Sequence, residues 1–211
     1  AALGALTPGL ARQLLGTPAV WALVAGHFAY AWGHYLLLAW LPTYLHQVHG
    51  VAKDDMALAC IPFLAMAVAV GWWAVLADAW ATKASLTTVR KGMTTIGLGG
   101  AAVLMLLTPL ARSATSAILL VSASLAVQAA AGSGAVINHA DLAPRQASVL
   151  LSLSNTFATL PGMVAVPLAS AIVETRWGSW EHVFALASAV LFAGLLIYRR
   201  YASAEPLILR A

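Results

Sequence analysis

Two histidines and a tyrosine follow one another at helical spacing near the start of the chain. His27, Tyr30 and His34 are spaced i, i+3 and i+7, so in a helix they lie on one face. Histidine titrates near neutral pH, and a tyrosine hydroxyl can donate a hydrogen bond to an anion. The stripe therefore predicts the lining of a cavity that meets substrate. The alternative is hydrogen bonding to neighbouring helices.

A second stripe of small polar residues lies later in the chain. Ser148, Ser152, Asn155 and Thr159 recur at i, i+4, i+7 and i+11, again on one helical face. We predict that Asn155 and Thr159 line the same cavity. The two serines are weaker candidates, because serine often bonds only to the backbone of its own helix. Packing between helices is the alternative for the whole stripe.

Charged residues are kept out of the middle of the apolar stretches, which limits the chemistry. The acids lie at or near the ends of these stretches: Asp54, Asp55, Asp78, Asp141, Glu174, Glu181 and Glu205. No carboxylate lies deep inside a stretch, where it could orient a histidine, and Gly-x-Ser-x-Gly is absent. The single cysteine, Cys60, excludes a cysteine metal cluster, and the loop histidines have no carboxylate or thiol at ligand spacing. We therefore predict no catalytic residue, no metal site and no cofactor.

The elements that must position the two stripes are long and apolar. The 211 residues are 62% hydrophobic and 9% charged, with a mean hydropathy of +0.86, whereas a soluble domain has about 25% charged residues. A membrane-spanning helix needs roughly 20 apolar residues. Six such stretches occur, at Pro18–Tyr44, Met56–Ala77, Val89–Leu110, Ala114–Ile137, Ala147–Ile172 and Trp180–Tyr201. Strand alternation at barrel spacing is absent, so the sequence predicts an all-α, polytopic membrane protein.

The basic residues divide unequally between the two sides of such a bundle. We predict the end of a linker at 1–17, a six-helix bundle at 18–201 and a tail at 202–211. Loops on the side of the N-terminus hold Arg12, Lys83, Arg90, Lys91, Arg145, Arg199, Arg200 and Arg210, and the other side holds Lys53, Arg112 and Arg176. The positive-inside rule makes the first side cytoplasmic or its organellar equivalent, with both termini on it. This distribution favours a lipid bilayer as partner and argues against nucleic acid.

A polar turn precedes the second stripe, and the two together resemble a known signature. The matching residues are Asn138-His139-Ala140-Asp141-Leu142-Ala143-Pro144-Arg145, then Ser154-Asn155-Thr156, Thr159 and Gly162, with further matches at Trp40-Leu41-Pro42-Thr43-Tyr44, Ala77-Asp78, Thr87-Thr88-Val89-Arg90-Lys91 and Trp180-Glu181-His182-Val183-Phe184. The chain from Pro18 onward thus resembles the anion:cation symporter family of the major facilitator superfamily. That family includes sodium/phosphate cotransporters, sialin, and vesicular glutamate and plastid phosphate or ascorbate transporters.

The resemblance implies a fold and an activity. The six helices would be helices seven to twelve of a transporter whose two six-helix halves face each other across a central site. The N-terminal half would be a partner missing from this chain. The implied activity is alternating-access transport of inorganic phosphate or a small organic anion, coupled to H+ or Na+. The plastid-like segments favour a chloroplast envelope or thylakoid membrane, with lysosomal, vesicular or plasma membranes as alternatives.

The resemblance also implies a gate on the cytoplasmic side. Its predicted residues are Asp78, Asn138, His139, Asp141, Pro144 and Arg145. Aspartate and arginine can pair across helices when that side closes and separate when it opens, which gives a two-state element that substrate can bias. A static loop is the alternative interpretation.

Several departures from the family pattern keep other functions open. Trp73-Ala74 stands where the motif before Asp78 usually has glycines, which predicts an altered helix contact. Tyr30 stands where vesicular glutamate transporters carry arginine, which disfavours glutamate as the substrate. The main alternative function is a non-transporting, truncated membrane protein that acts as a structural or regulatory partner. A six-helix unit working as a homodimer is a further alternative.

Overall fold

Helices make up almost all of the computed structural model, which describes residues 8–176 and 178–207. The helices are α1 (Pro8–Leu15), α2 (Pro18–His49), α3 (Ile61–Ala81), α4 (Leu86–Thr94), α5 (Gly100–Leu107), α6 (Ala114–Gln128), α7 (Asn138–Leu142), α8 (Ala147–Val173) and α9 (Trp180–Tyr201). No strand occurs in the described ranges. Two parts of the predicted segments lie outside the described residues. They are residues 1–7 of the predicted linker and residues 208–211 of the predicted tail, which include Arg210.

The helical segments confirm the predicted all-α, polytopic membrane fold. Five of them are long and apolar enough to span a membrane: Lys53–Ala81, Leu86–Leu110, Ala114–Leu142, Pro144–Val173 and Trp180–Tyr201. A sixth span is possible if α1 and α2, which meet at a bend of 71°, count as one. The last predicted span, Trp180–Tyr201, coincides with α9.

Sequence signals explain where the helices begin and end. Helix α2 begins with Pro18, which has no backbone N–H, and an N–H at this position would have no partner within the helix. The residue after its last one, Gly50, has a φ of 66°. That left-handed conformation suits glycine. Serine caps begin two further helices, since Ser85 accepts from the Thr88 N–H and Ser113 forms a capping box with Ser116. Because α2 runs to His49, the predicted end at Tyr44 was five residues too early.

Two spans that we predicted as continuous helices are interrupted. Between α4 and α5 the chain forms a π turn at Thr95–Gly99, and beyond α6 it tightens to a 3₁₀ turn at Ala129–Ser133. The two irregular turns are in close contact. A Cβ added to Gly97 would lie 2.4 Å from the backbone nitrogen of Ala131. Glycine weakens an α-helix, and it also permits this close backbone approach. The contact between the two spans explains why both leave α-helical geometry at the same level.

The bundle places α2 at its centre. This helix packs along α8 and α9, while α3 packs on α6, and α5 packs on both α6 and α9. The contact between α2 and α9 is tight, since a Cβ on Gly194 would lie 2.3 Å from the Cβ of Ala29. In a membrane, helices associate through such small-residue contacts. The arrangement leaves one face of α2 directed at α8, and that face carries the first polar stripe.

Two tryptophans of α3 contact the neighbouring helices. Trp73 Nε1 donates to the Ala126 carbonyl of α6 at 2.7 Å. The ring of Trp80 covers Gly92 of α4 so closely that no Cβ fits there. Trp73 thus spans the gap between α3 and α6 and uses its only side-chain donor, while the altered contact expected there stays a prediction.

Candidate substrate cavity and the ion-pair end

The five side chains predicted to meet substrate surround one cavity between α2 and α8. His27, Tyr30 and His34 come from α2, and Asn155 and Thr159 come from α8. The cavity has a volume of about 120 Å³, and Ala31, Tyr35 and Ala158 complete its lining. The tertiary structure thus brings both stripes together, although binding of substrate there stays a prediction.

His27 is held by a hydrogen bond across the cavity wall. Its Nδ1 lies 3.1 Å from Ser154 Oγ, and both side chains are buried. Ser154 Oγ also donates to the Leu151 carbonyl at 3.1 Å. Because a hydroxyl has one proton, Ser154 accepts from the Nδ1–H of His27. Nε2 is then the unprotonated nitrogen of the neutral ring and is left to accept from, or when protonated donate to, a ligand.

Tyr30 and His34 form an aromatic wall. Their rings are parallel within 4°, with centroids 6.5 Å apart, and Phe63 packs edge-on against His34 at 5.8 Å. The Nδ1 atom of His34 is buried and finds no hydrogen-bond partner among the described residues. Buried polar atoms are normally paired, so this nitrogen is unused hydrogen-bonding capacity beside the cavity.

The α8 side of the cavity is the exposed side. The Thr159 hydroxyl donates to the Thr156 carbonyl at 2.9 Å, and both Asn155 and Thr159 are exposed in this chain. Ser148 and Ser152 lie elsewhere, in a mostly apolar groove against α1. The predicted stripe therefore divides between two places.

Sequence reasoning missed three residues that shape the cavity. Gln128 is fully buried, and its Nε2 donates to the Tyr30 carbonyl at 2.6 Å, which ties α6 to α2 behind the cavity. A glutamine within an apolar stretch could have indicated a buried hydrogen bond between helices. Tyr35 directly follows His34, and Ser154 directly precedes Asn155, so both could have been found by widening each helical face by one residue.

The cavity lining contains no lysine, arginine, aspartate or glutamate. An anion in this cavity would therefore meet neutral donors and two imidazoles, whose positive charge depends on protonation. Within residues 8–176 and 178–207, no group of three His, Cys, Asp or Glu side chains could hold a metal ion.

Arginine and aspartate meet at one end of the bundle, which we name the ion-pair end. Arg90 Nε lies 2.6 Å from Asp141 Oδ2, and Nη2 lies 3.3 Å from Oδ1, so the pair is bidentate. Arg90 Nη1 also donates to the Ser133 carbonyl at 2.8 Å. The two side chains are 13% and 15% exposed. The pair joins α4 to α7, with Asp141 from the predicted gate and Arg90 from outside it.

The other predicted gate residues differ in their surroundings. Asn138 is fully buried, and its Nδ2 donates to the Ser203 carbonyl at 3.0 Å. His139 Nδ1 lies 2.8 Å from the Val136 carbonyl, within its own turn. The exposed residues are Asp78, Pro144 and Arg145, and the side chains of this group form no ion pair in the described part of the chain. A gating role for any of the six stays a prediction.

Curated transporters match nearly the whole chain in sequence. The chloroplastic sodium-dependent phosphate transport protein 1 of Arabidopsis thaliana is 35% identical over 199 residues, which cover 93% of this chain and 38% of that protein. The chloroplastic ascorbate transporter of the same plant is 36% identical over 201 residues, covering 93% and 36%. The probable vesicular glutamate transporter eat-4 of Caenorhabditis elegans is 36% identical over 197 residues, covering 92% and 34%. The chain spans only about a third of the length of these relatives.

A solved structure shows the same fold. A bacterial homolog of the human lysosomal transporter Spinster, in an inward-facing and unoccupied conformation, superposes with a TM-score of 0.55 over 96% of this chain and 50% of that one. At 17% identity, the likeness concerns the fold alone. It confirms the predicted fold, an all-α bundle of membrane-spanning helices that matches about half of a transporter chain. No family model matches the chain.

Proposed function

We propose that this chain, a homologue of the anion:cation symporters, forms one half of a secondary active transporter for inorganic phosphate or a small organic anion. The observation that carries the proposal is the cavity between α2 and α8, where two separate polar stripes converge. Helical spacing predicted that His27, Tyr30 and His34 share one helical face and that Asn155 and Thr159 share another, and these two faces lie together at the cavity. Packing between helices does not require a cavity, whereas a binding site does.

The proposed chemistry follows from the donors around the cavity. The Tyr30 hydroxyl and the Asn155 amide can donate to the oxygens of a phosphate or carboxylate. His27, held by Ser154 through Nδ1, offers a second N–H toward the anion once its ring is protonated. A proton bound there would travel with the anion and offset its charge, which supports coupling to a proton gradient. Coupling to sodium is the alternative mode.

Alternating access would supply the transport cycle. In this proposal the ion-pair end faces the cytoplasm or its organellar equivalent, where the Arg90–Asp141 pair closes that side of the half. The remaining basic and histidine groups for substrate would come from the facing half. The plastid names of two relatives support a chloroplast membrane as the location.

The test is uptake by the full-length protein in proteoliposomes, with labelled phosphate, ascorbate and glutamate under an imposed pH or sodium gradient. Thr159→Val and Thr156→Val form a matched pair, because both hydroxyls donate to a backbone carbonyl of their own helix and only Thr159 lines the cavity. We expect uptake of one anion, reduced by Thr159→Val and unchanged by Thr156→Val. Equal effects of the two variants would contradict the site. An absence of uptake for all three anions under both gradients would contradict the function.

A further inference from the structure

The chain crosses the ion-pair end after α9. Residues Ala202–Leu207, which we name the strap, make three hydrogen bonds to other elements. The Ala204 N–H donates to Thr87 Oγ1 at 2.9 Å, Asn138 Nδ2 donates to the Ser203 carbonyl at 3.0 Å, and the Leu207 N–H donates to the Leu142 carbonyl at 2.8 Å. Thr87 belongs to α4, and the other two partners belong to α7. The strap therefore joins the same two helices as the Arg90–Asp141 ion pair.

Two alanines and one leucine seat the strap on the bundle. Ala202 and Ala204 are 6% and 5% exposed, and Ala202 packs in a cluster with Tyr198. Glu205 is exposed, and Leu207 is the one large apolar residue that packs inward, next to the cluster that contains Leu142. Two methyl groups and one leucine bury little apolar area. The hydrogen bonds consequently provide much of the attachment. Each contributes only a small net free energy, because water can replace the partner.

Polar atoms beneath the strap are left unsatisfied. Asn138 Oδ1 and the Tyr198 hydroxyl are both buried and have no hydrogen-bond partner within the described ranges. The Tyr198 hydroxyl lies within reach of the Thr94 and Asn138 side chains. A buried unpaired polar group disfavours the state that buries it. Asn138 holds the strap through its Nδ2 while its Oδ1 stays without a partner among the described residues. Lifting the strap would admit water to that oxygen, so the fastened state is not the best state for Asn138.

We propose that the strap is a releasable fastening of the ion-pair end, which leaves Thr87 and Asn138 when the Arg90–Asp141 pair opens. The ion pair and the strap connect α4 to α7 side by side, so these two helices separate only if both connections break. The strap then acts as a lid that lies over the helix ends in one state and is free in the other. The role of this movement in transport rests on the function proposed above.

A disulfide lock tests the role in transport. Cys60 is the only cysteine of the chain and is exposed, so Cys60→Ser, together with replacement of every cysteine in the rest of the full-length protein, gives a background without cysteine. Thr87→Cys combined with Ala204→Cys places cysteines at two positions that are in contact, since the Ala204 N–H donates to Thr87 Oγ1 at 2.9 Å. We expect oxidation to abolish uptake and reduction to restore it, while each single variant transports under both conditions. If the reduced and oxidised double variant transport equally well, the strap proposal is wrong and the proposed function stands.

Thiol labelling tests release without relying on transport. In the background without cysteine, Ala204→Cys is buried against the bundle while the strap is fastened, and Glu205→Cys is exposed in either state. We expect a maleimide to label Ala204→Cys slowly, and faster when Asp141→Asn weakens the ion pair, while Glu205→Cys is labelled rapidly throughout. An unchanged labelling rate of Ala204→Cys on adding Asp141→Asn would overturn the proposal, even if the protein transports none of the anions tested.

Discussion

In the cavity between α2 and α8, polar groups have few partners within the protein, whereas at the ion-pair end Arg90 alone makes three hydrogen bonds. His34 Nδ1 has no partner in the described chain, and the exposed Asn155 faces open space. Hydrogen-bonding capacity that the protein does not use is available to a ligand, while capacity used between helices stabilises one arrangement of them. The difference supports the proposals of a binding region in the cavity and of a fastening region at the ion-pair end.

The largest effect on stability is expected at the Arg90–Asp141 ion pair. Replacing Arg90 by methionine should cost about 3 kcal/mol of folding free energy, because Asp141 then keeps a mostly buried charge without its partner. Thermal unfolding in detergent measures the loss, with Lys91→Met as the control for removing a neighbouring positive charge. Adding Asp141→Asn should recover part of the stability, since the unpaired charge is then gone. Equal losses from Arg90→Met and Lys91→Met would show that the pair does not fasten α4 to α7.

Packing at the same end gives the next largest effect. A Cβ added to Gly134 would lie 2.3 Å from Thr94 Oγ1 and 2.9 Å from the Arg90 carbonyl, while Gly132 has no atom within 4 Å of the same position. Gly134→Ala should therefore cost about 2 kcal/mol through overpacking, and Gly132→Ala should leave the melting temperature almost unchanged. Similar melting temperatures for the two variants would mean that α4 has room to move away from this turn.

The bond that orients His27 should contribute less to stability and more to activity. Ser154→Ala removes the acceptor of the His27 Nδ1–H, at a cost of about 1 kcal/mol. The imidazole can then adopt either tautomer, so we expect weaker uptake with an altered pH dependence. Ser152→Ala is the control on the same helix, because Ser152 lies in the groove against α1. A pH profile identical to that of the unmodified protein would remove Ser154 from the positioning of His27.

The smallest effect on stability should accompany the clearest effect on uptake. Asn155→Ala and Tyr30→Phe remove polar groups at the cavity, so each should change the free energy of unfolding by no more than about 0.5 kcal/mol. We expect both to impair uptake without reducing abundance in the membrane. Quantitative immunoblotting alongside uptake kinetics separates the two quantities. Unchanged kinetics in both variants would show that the cavity is only a gap between packed helices.

Periodicity accounts for most of what could be predicted about the cavity. His27, Tyr30 and His34 share a face because a helix repeats every 3.6 residues, and the same argument places Asn155 with Thr159. The long apolar stretches predicted the spans for an equally local reason. The interruptions at Thr95–Gly99 and Ala129–Ser133 escaped prediction, since they depend on two backbones meeting at Gly97 and Ala131.

The sequence by itself determined that this protein is helical and membrane-spanning, and which residues share a helical face, because hydropathy and helical repeat act between residues close in the chain. Only the tertiary structure decided the partners. Arg90 meets Asp141 across 51 positions, Gln128 meets Tyr30 across 98, and the strap meets Thr87 across 117. Spacing within a helix says nothing about which other helix lies opposite. That choice follows from how the small residues let α2, α4, α6 and α9 approach one another.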